Sequence, residues 1–268
     1  MTSRTPATSS GKAPNSQPPA SDPTAGPAQI GWPAFTTGDW RGTHRLIPAT
    51  FVDRTEPFLA GLVGDGSDDR DGDIAALTEL SAATNTRLQV QAGLDGLDIG
   101  SHELVYDLDN SKFINGAFTY PGQGARFSDD SRGAWYAGLE VATSLAEVAH
   151  HRALQLAEIN VWEDVTEYQD LTCDIGGPHF ADLRDTDPRT AACLDHSSYL
   201  ASQALAPQLL TNKAAGVVWP SVRHPGGTCV VCFRPSLLPP VARGGRWRLH
   251  WDGNPEPEIT ELADVDER

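Results

Sequence analysis

From Arg246 to Trp251, RWRLHW, the apolar side chains of Trp247, Leu249 and Trp251 alternate with Arg246, Arg248 and His250. Side chains two apart on a strand share a face, so this spacing predicts a half-buried edge strand. The apolar runs GVVWPS and GTCVVCF predict two strands around the loop at 221–227. GAWYAG is a further short strand, and NVWEDVTEYQDLT reads as another.

Helical spacing appears elsewhere. TSLAEVAHHRALQLAEI predicts a helix over about 144–158, with Ser144 and Glu147 in an S-x-x-E capping box. SSYLASQALAPQLLTN predicts a second helix, kinked at Pro207. Ile74, Leu77 and Leu80 form the apolar stripe of a third, from about 74 to 91, with Asp73 as its N-cap. Strands and helices mix without regular βαβ alternation and without an internal repeat, which favours an α+β fold over a doubly wound sheet.

The ends differ from the middle. Residues 1–33 are rich in Ser, Thr, Pro, Ala and Gly with almost no large apolar side chains, so a disordered tail is expected. A folded body is expected over 34–251. The stretch 252–268 is acidic and expected to be a loose tail, with Ile259 and Leu262 able to dock. GDGSDDRDGD, residues 64–73, resembles a calcium loop only superficially. Neither register supplies both the glycine at position six and the glutamate at position twelve, so a solvated loop is expected.

Composition narrows the function. The chain has 268 residues and a formal net charge of −16, which argues against a nucleic-acid surface or an anionic membrane as partner. No segment approaches the ~20 apolar residues of a membrane span, and no basic stretch precedes an apolar run, so a cytoplasmic location is expected. Three of the twenty basic residues are lysines, so seventeen are arginines, whose planar forks suit phosphate. The four cysteines do not make a disulfide framework in a chain this long. Cys229 and Cys232, three apart on a strand, point to opposite faces and are expected to be reduced.

Three chemistries compete for the conspicuous stretch WPSVRHPGG, residues 219–227. A serine hydrolase would use Ser221 with His224, yet the G-x-S-x-G elbow is absent and His224 lies only three residues away. A metal site would use Glu147 and His151, which share a helix face at i and i+4. The spacing is not H-E-x-x-H and no third ligand is evident, so no metal is expected. The third reading joins Arg45, Arg126, Tyr136, Glu147 and Ser221. Arginine forks match pyrophosphate oxygens, a tyrosine ring stacks on a base, and a carboxylate stabilises an oxocarbenium-like ribose. No G-x-G-x-x-G is present, so the site would not be a Rossmann site.

The order HRL, ARFSDDSRGAWYAGLEVATSLAEV and AGVVWPSVRHPGGTCVVCF resembles the RES domain family, named for an arginine, a glutamate and a serine. The resemblance spans about 40–240. It implies an ADP-ribosyltransferase-like α+β fold with a mixed central sheet and flanking helices. It also implies consumption of NAD+ as substrate, with no cofactor, by glycohydrolysis, phosphorolysis or ADP-ribosyl transfer. Such proteins are commonly bacterial toxins paired with an Xre-like antitoxin protein. Carried over, the name-giving residues are Arg45, Glu147 and Ser221, and Arg126 and Tyr136 match the second block. In that reading Arg45 and Arg126 hold the pyrophosphate, Tyr136 stacks, Glu147 stabilises the ribosyl transition state and Ser221 fixes the nicotinamide side or a phosphate. Arg223 is a further substrate contact, with His224 beside it. The chain departs from the family pattern in Ser128 for Asn, in Trp219 for Tyr, and in a helical insertion around 55–115. The alternatives are a serine hydrolase using Ser221 and a non-catalytic RES-like interaction module.

Overall fold

The computed structural model describes residues 32–53, 85–93, 96–185, 187–188 and 190–263. The tail 1–31, the acidic loop 64–73, Asp73 and the first part of the 74–91 helix lie outside the described residues.

Seven strands form one mixed sheet: β1 (Ala34–Pro48), β2 (Trp135–Gly138), β3 (Glu163–Asp182), β4 (Gly216–Pro220), β5 (Thr228–Cys232), β6 (Ala242–Asp252) and β7 (Glu258–Leu262). Their order is β1-β2-β5-β4-β3-β6-β7. Among the described residues only the β3–β4 pair is parallel. β1 also runs antiparallel beside β3, from Ala34 opposite Asp182 to Pro48 opposite Tyr168. The pairings β1–β2–β5–β4–β3 therefore close into a ring, with β6 and β7 extending from the first half of β3. Five helices flank the sheet among the described residues: α1 (Thr50–Asp53), α2 (Thr86–Gln91), α3 (Ser111–Thr119), α4 (Val141–Ile159) and α5 (Leu200–Thr211). None is long and apolar enough to cross a membrane.

β4 and β5 are continuous apolar runs because they sit between other strands and are buried from both sides. β6 keeps its alternation, with Leu249 and Trp251 fully buried. Its predicted edge position is corrected: β7 pairs along it from Arg246–Leu262 to His250–Glu258. The same pairing corrects the expectation of a loose tail for 258–262. Ile259 and Leu262 are on that strand, which is the outermost of the sheet among the described residues.

The main core lies where α3, α5 and the closed part of the sheet meet, around Phe118, Trp135, Phe180, Val217 and Val231. Val90, Ile99 and Leu104, from the stretch between β1 and β2, join this same core. Arg132 ties that stretch down: it holds Glu103 with two hydrogen bonds of 3.0 and 2.7 Å and also donates to Phe233 O. A smaller core under α4 joins Leu145 and Leu156 to Leu46, Tyr168, Leu249 and Trp251.

Candidate active site

The helix α4 begins at Val141, three residues before the predicted start, with Glu140 as N-cap. The predicted capping box does not form. Ser144 is buried within the first turn, donates to His44 O at 2.6 Å and accepts from Gly138 N at 2.9 Å. A tertiary contact has taken the hydroxyl that local capping would use, and it clamps the start of α4 to β1 and β2. A Cβ on Gly138 would stand 2.7 Å from Ser144 Oγ, so the close approach requires glycine there. Glu147 sits one turn further along, and His151 a turn beyond it; both face a single pocket.

The loop between β4 and β5 closes on itself through Ser221 N to Gly227 O and Gly227 N to His224 O, both 2.9 Å. Ser221 Oγ accepts from the backbone of Arg223 at 3.1 Å and of His224 at 3.0 Å. Its proton goes to Glu147 Oε1 at 3.0 Å. The hydroxyl is thus fully committed, with a carboxylate rather than an imidazole receiving its proton. The Ser221–His224 pairing of a hydrolase is absent: His224 Nδ1 lies 2.9 Å from Thr143 Oγ1, which donates to Glu140 Oε2 at 2.9 Å. This second link joins the loop bearing Ser221 to the helix bearing Glu147. It crosses directly over Gly227, where a Cβ would be 2.3 Å from Thr143 Oγ1 and 2.7 Å from His224 Nδ1.

Two arginines face the same pocket. Arg45 donates to Tyr136 O at 3.2 Å and its guanidinium lies 5.0 Å from the Trp135 ring centre. Burial pushes its pKa down to about 10. Arg126 is 6% exposed, donates to Cys193 O and Asp195 O at 2.9 and 2.8 Å, and lies 4.8 Å from the Tyr199 ring centre. Burial lowers its pKa as well, opposed by the Tyr199 and Glu147 charges. Neither makes an ion pair among the described residues. Carbonyl and ring partners hold each fork in place without an ion pair, and a desolvated cation without a paired carboxylate favours an arriving anion.

Tyr136 lines the pocket with its ring, edge-on to Trp219 at 6.3 Å. Its hydroxyl accepts from Phe127 N at 2.9 Å and donates to Ser128 Oγ at 3.0 Å. Burial pushes its pKa up to about 12. The hydroxyl therefore holds the 125–128 turn, and with it Arg126, while the ring forms a wall. Ser128 is the acceptor that makes this link.

The cavity bounded by these groups measures about 240 Å³. The structure brings Arg45, Arg126, Tyr136 and Glu147 together on its walls, with Ser221 behind Glu147. Arg223 does not line it; its guanidinium donates to His196 O. Its charge is still felt nearby: burial first, and then Arg223, lower the pKa of His150 to about 4, and Arg223 also opposes protonation of His151. The surroundings of the pocket are locally positive in an acidic chain.

Tyr199 and Cys229 also line the pocket and were not among the site residues expected from sequence. Tyr199 falls at the start of the predicted SSYLASQALAPQLLTN helix and is the N-cap of α5, with nothing in the spacing to mark it as a pocket residue. Cys229 reads in sequence only as an apolar strand position. Among the described residues no group of three His, Cys, Asp or Glu is arranged to hold a metal ion.

A search of curated proteins returns no match. One protein-family model, described as the RES domain, matches residues 104–252, more than half of the chain. Arg126, Tyr136, Glu147, Ser221 and Arg223 lie within the match; Arg45 precedes it.

Proposed function

This chain belongs to the RES domain family, and from that premise and the pocket geometry we propose that it is an enzyme that breaks the nicotinamide–ribose bond of NAD+. The observation that supports this best is the pairing of opposite tasks in one cavity. A half-buried Arg45 and a buried Arg126, neither ion-paired among the described residues, face a carboxylate whose Oε1 is held by Ser221.

In this reading Arg45 and Arg126 receive the pyrophosphate through charge-assisted, fork-shaped hydrogen bonds. The Tyr136 and Tyr199 rings supply flat walls for a base or the nicotinamide. Glu147 faces the ribose, binding a hydroxyl and stabilising positive charge as the C1′–N bond opens and its electron pair returns to the nicotinamide ring. Ser221 acts through Glu147, by orienting it. The cavity of about 240 Å³ is smaller than the 300–1,000 Å³ of most small-molecule sites, which suits the nicotinamide riboside end of the dinucleotide. The adenosine end then extends over the positive surroundings near Arg223 and His196, where Arg223 serves as an outer contact.

The ADP-ribose acceptor is water, phosphate or a protein side chain, giving glycohydrolase, phosphorylase or ADP-ribosyltransferase activity on an ADP-ribosyltransferase-like fold. Depletion of NAD+ in the cytoplasm of a bacterium would make the protein a toxin, held in check by an Xre-like antitoxin protein. Incubation with NAD+, with and without phosphate and with added protein, tests the activity. Free nicotinamide is expected in at least one arm, and its absence in all of them overturns the reading.

A further inference from the structure

Glu147 Oε1 has a second neighbour besides Ser221. Cys229 lies on β5 directly opposite Trp219 of β4, and its Sγ donates to Oε1 at 3.6 Å, a normal separation for a thiol hydrogen bond. Oε2 of Glu147 has no hydrogen bond among the described residues. One carboxylate oxygen is thus held by two protein donors, while the other is left at the pocket wall for substrate.

Cys229 is 4% exposed. Burial and the adjacent Glu147 push its thiol well above the usual range, so it stays protonated and acts as a donor, not as a nucleophile. Cys232, three residues on, faces away and donates to Arg234 O at 3.3 Å. The two thiols of CVVC therefore have different tasks, and Cys232 serves as an internal control.

We propose that Cys229 is a positioning residue for Glu147: its thiol and the Ser221 hydroxyl together fix Oε1, which aims Oε2 at the reacting ribose. The inference rests on the NAD+-cleaving reading. A carboxylate held by one donor swings about that bond; two donors from different strand ends stop the swing, and correct aim is worth a large share of a catalytic barrier. Other groups facing Glu147 do not replace this contact. Arg126 from the 125–128 turn and His151 from α4 itself act on it by charge, and Arg45, Tyr136 and Tyr199 line the pocket from β1, β2 and the entry to α5.

Two measurements test it. The first needs no substrate: the S–H stretch of Cys229, assigned in the infrared by its loss in Cys229→Ser, is expected to shift toward that of a free thiol in Glu147→Leu. A band that does not move overturns the proposal. The second is turnover of NAD+. Cys229→Ala is expected to lower kcat about three- to tenfold, the worth of one modest hydrogen bond, with little change in KM. Cys229→Ser, which restores a donor, recovers most of the loss, and Cys232→Ala leaves kcat unchanged. A folded Cys229→Ala with wild-type kcat overturns the proposal. If the wild-type protein releases no nicotinamide, the NAD+ reading fails, and the infrared band alone decides whether the thiol holds Glu147.

Discussion

Ser221 Oγ donates to Glu147 Oε1 at 3.0 Å, across 74 residues of sequence. The bond joins a strand-connecting loop to the second turn of α4. The serine proton is given to a carboxylate, and in the proposed reading Ser221 orients Glu147 rather than attacking substrate.

Replacing Ser221 with Ala removes a donor to a charged acceptor, an interaction of about 1.5–3 kcal/mol, so kcat for NAD+ cleavage should fall about ten- to a hundredfold. Glu147→Gln should abolish nicotinamide release while the circular dichroism spectrum stays native. A fluorophosphonate should leave Ser221 unlabelled; covalent labelling there would contradict the assignment.

Arg45 gives a test in which function and stability move apart. Arg45→Met removes the proposed pyrophosphate fork and should raise KM for NAD+ about ten- to a hundredfold. It also removes a half-buried cation without an ion-pair partner among the described residues, so thermal stability should hold or rise. Arg45→Lys should not restore affinity, because an ammonium lacks the planar fork. Calorimetry of NAD+ binding alongside thermal melts reads both effects.

Gly227 should tolerate no side chain. An alanine Cβ would fall 2.3 Å from Thr143 Oγ1, breaking the Thr143–His224 link. Overpacking of this kind costs about 1–3 kcal/mol, and each kcal/mol lowers the melting temperature by about 2–4 °C at this size. Activity should fall further than stability alone explains, since the same loop carries Ser221. A thermal melt together with a nicotinamide assay separates the two.

Acidification should weaken the fold through His150 and His151. Burial lowers both pKa values, that of His150 from 6.5 to about 4, and Arg223 adds to the effect. The unfolded chain therefore binds more protons than the folded one between about pH 6.5 and 4. Stability contributed by the neutral imidazoles is present above that window and is lost as pH falls through it. Denaturant midpoints measured across this range should drop, and the double variant His150→Gln, His151→Gln should flatten the drop.

Local pattern determined much of this protein. The apolar runs at 216–220 and 228–232, the alternation at 246–251 and the helix through Glu147 follow from side-chain spacing alone, because periodicity is set by neighbours a few residues apart. The ordered blocks around Arg126, Glu147 and Ser221 carried the family likeness that the match over 104–252 shows. Other features were decided only when distant strands met. Ser144 satisfies the capping signal on paper, yet its hydroxyl goes to His44 O, 100 residues away, because burial against β1 leaves that carbonyl needing a donor. His224 stands beside Ser221 in sequence but bonds Thr143. β6 reads as an edge until β7 covers it. That Arg45 is held by Tyr136 O and Arg126 by Cys193 O and Asp195 O, rather than by carboxylates, is decided by segments far away in sequence. Spacing along a chain sets which face a side chain occupies; the tertiary structure sets which partner waits there.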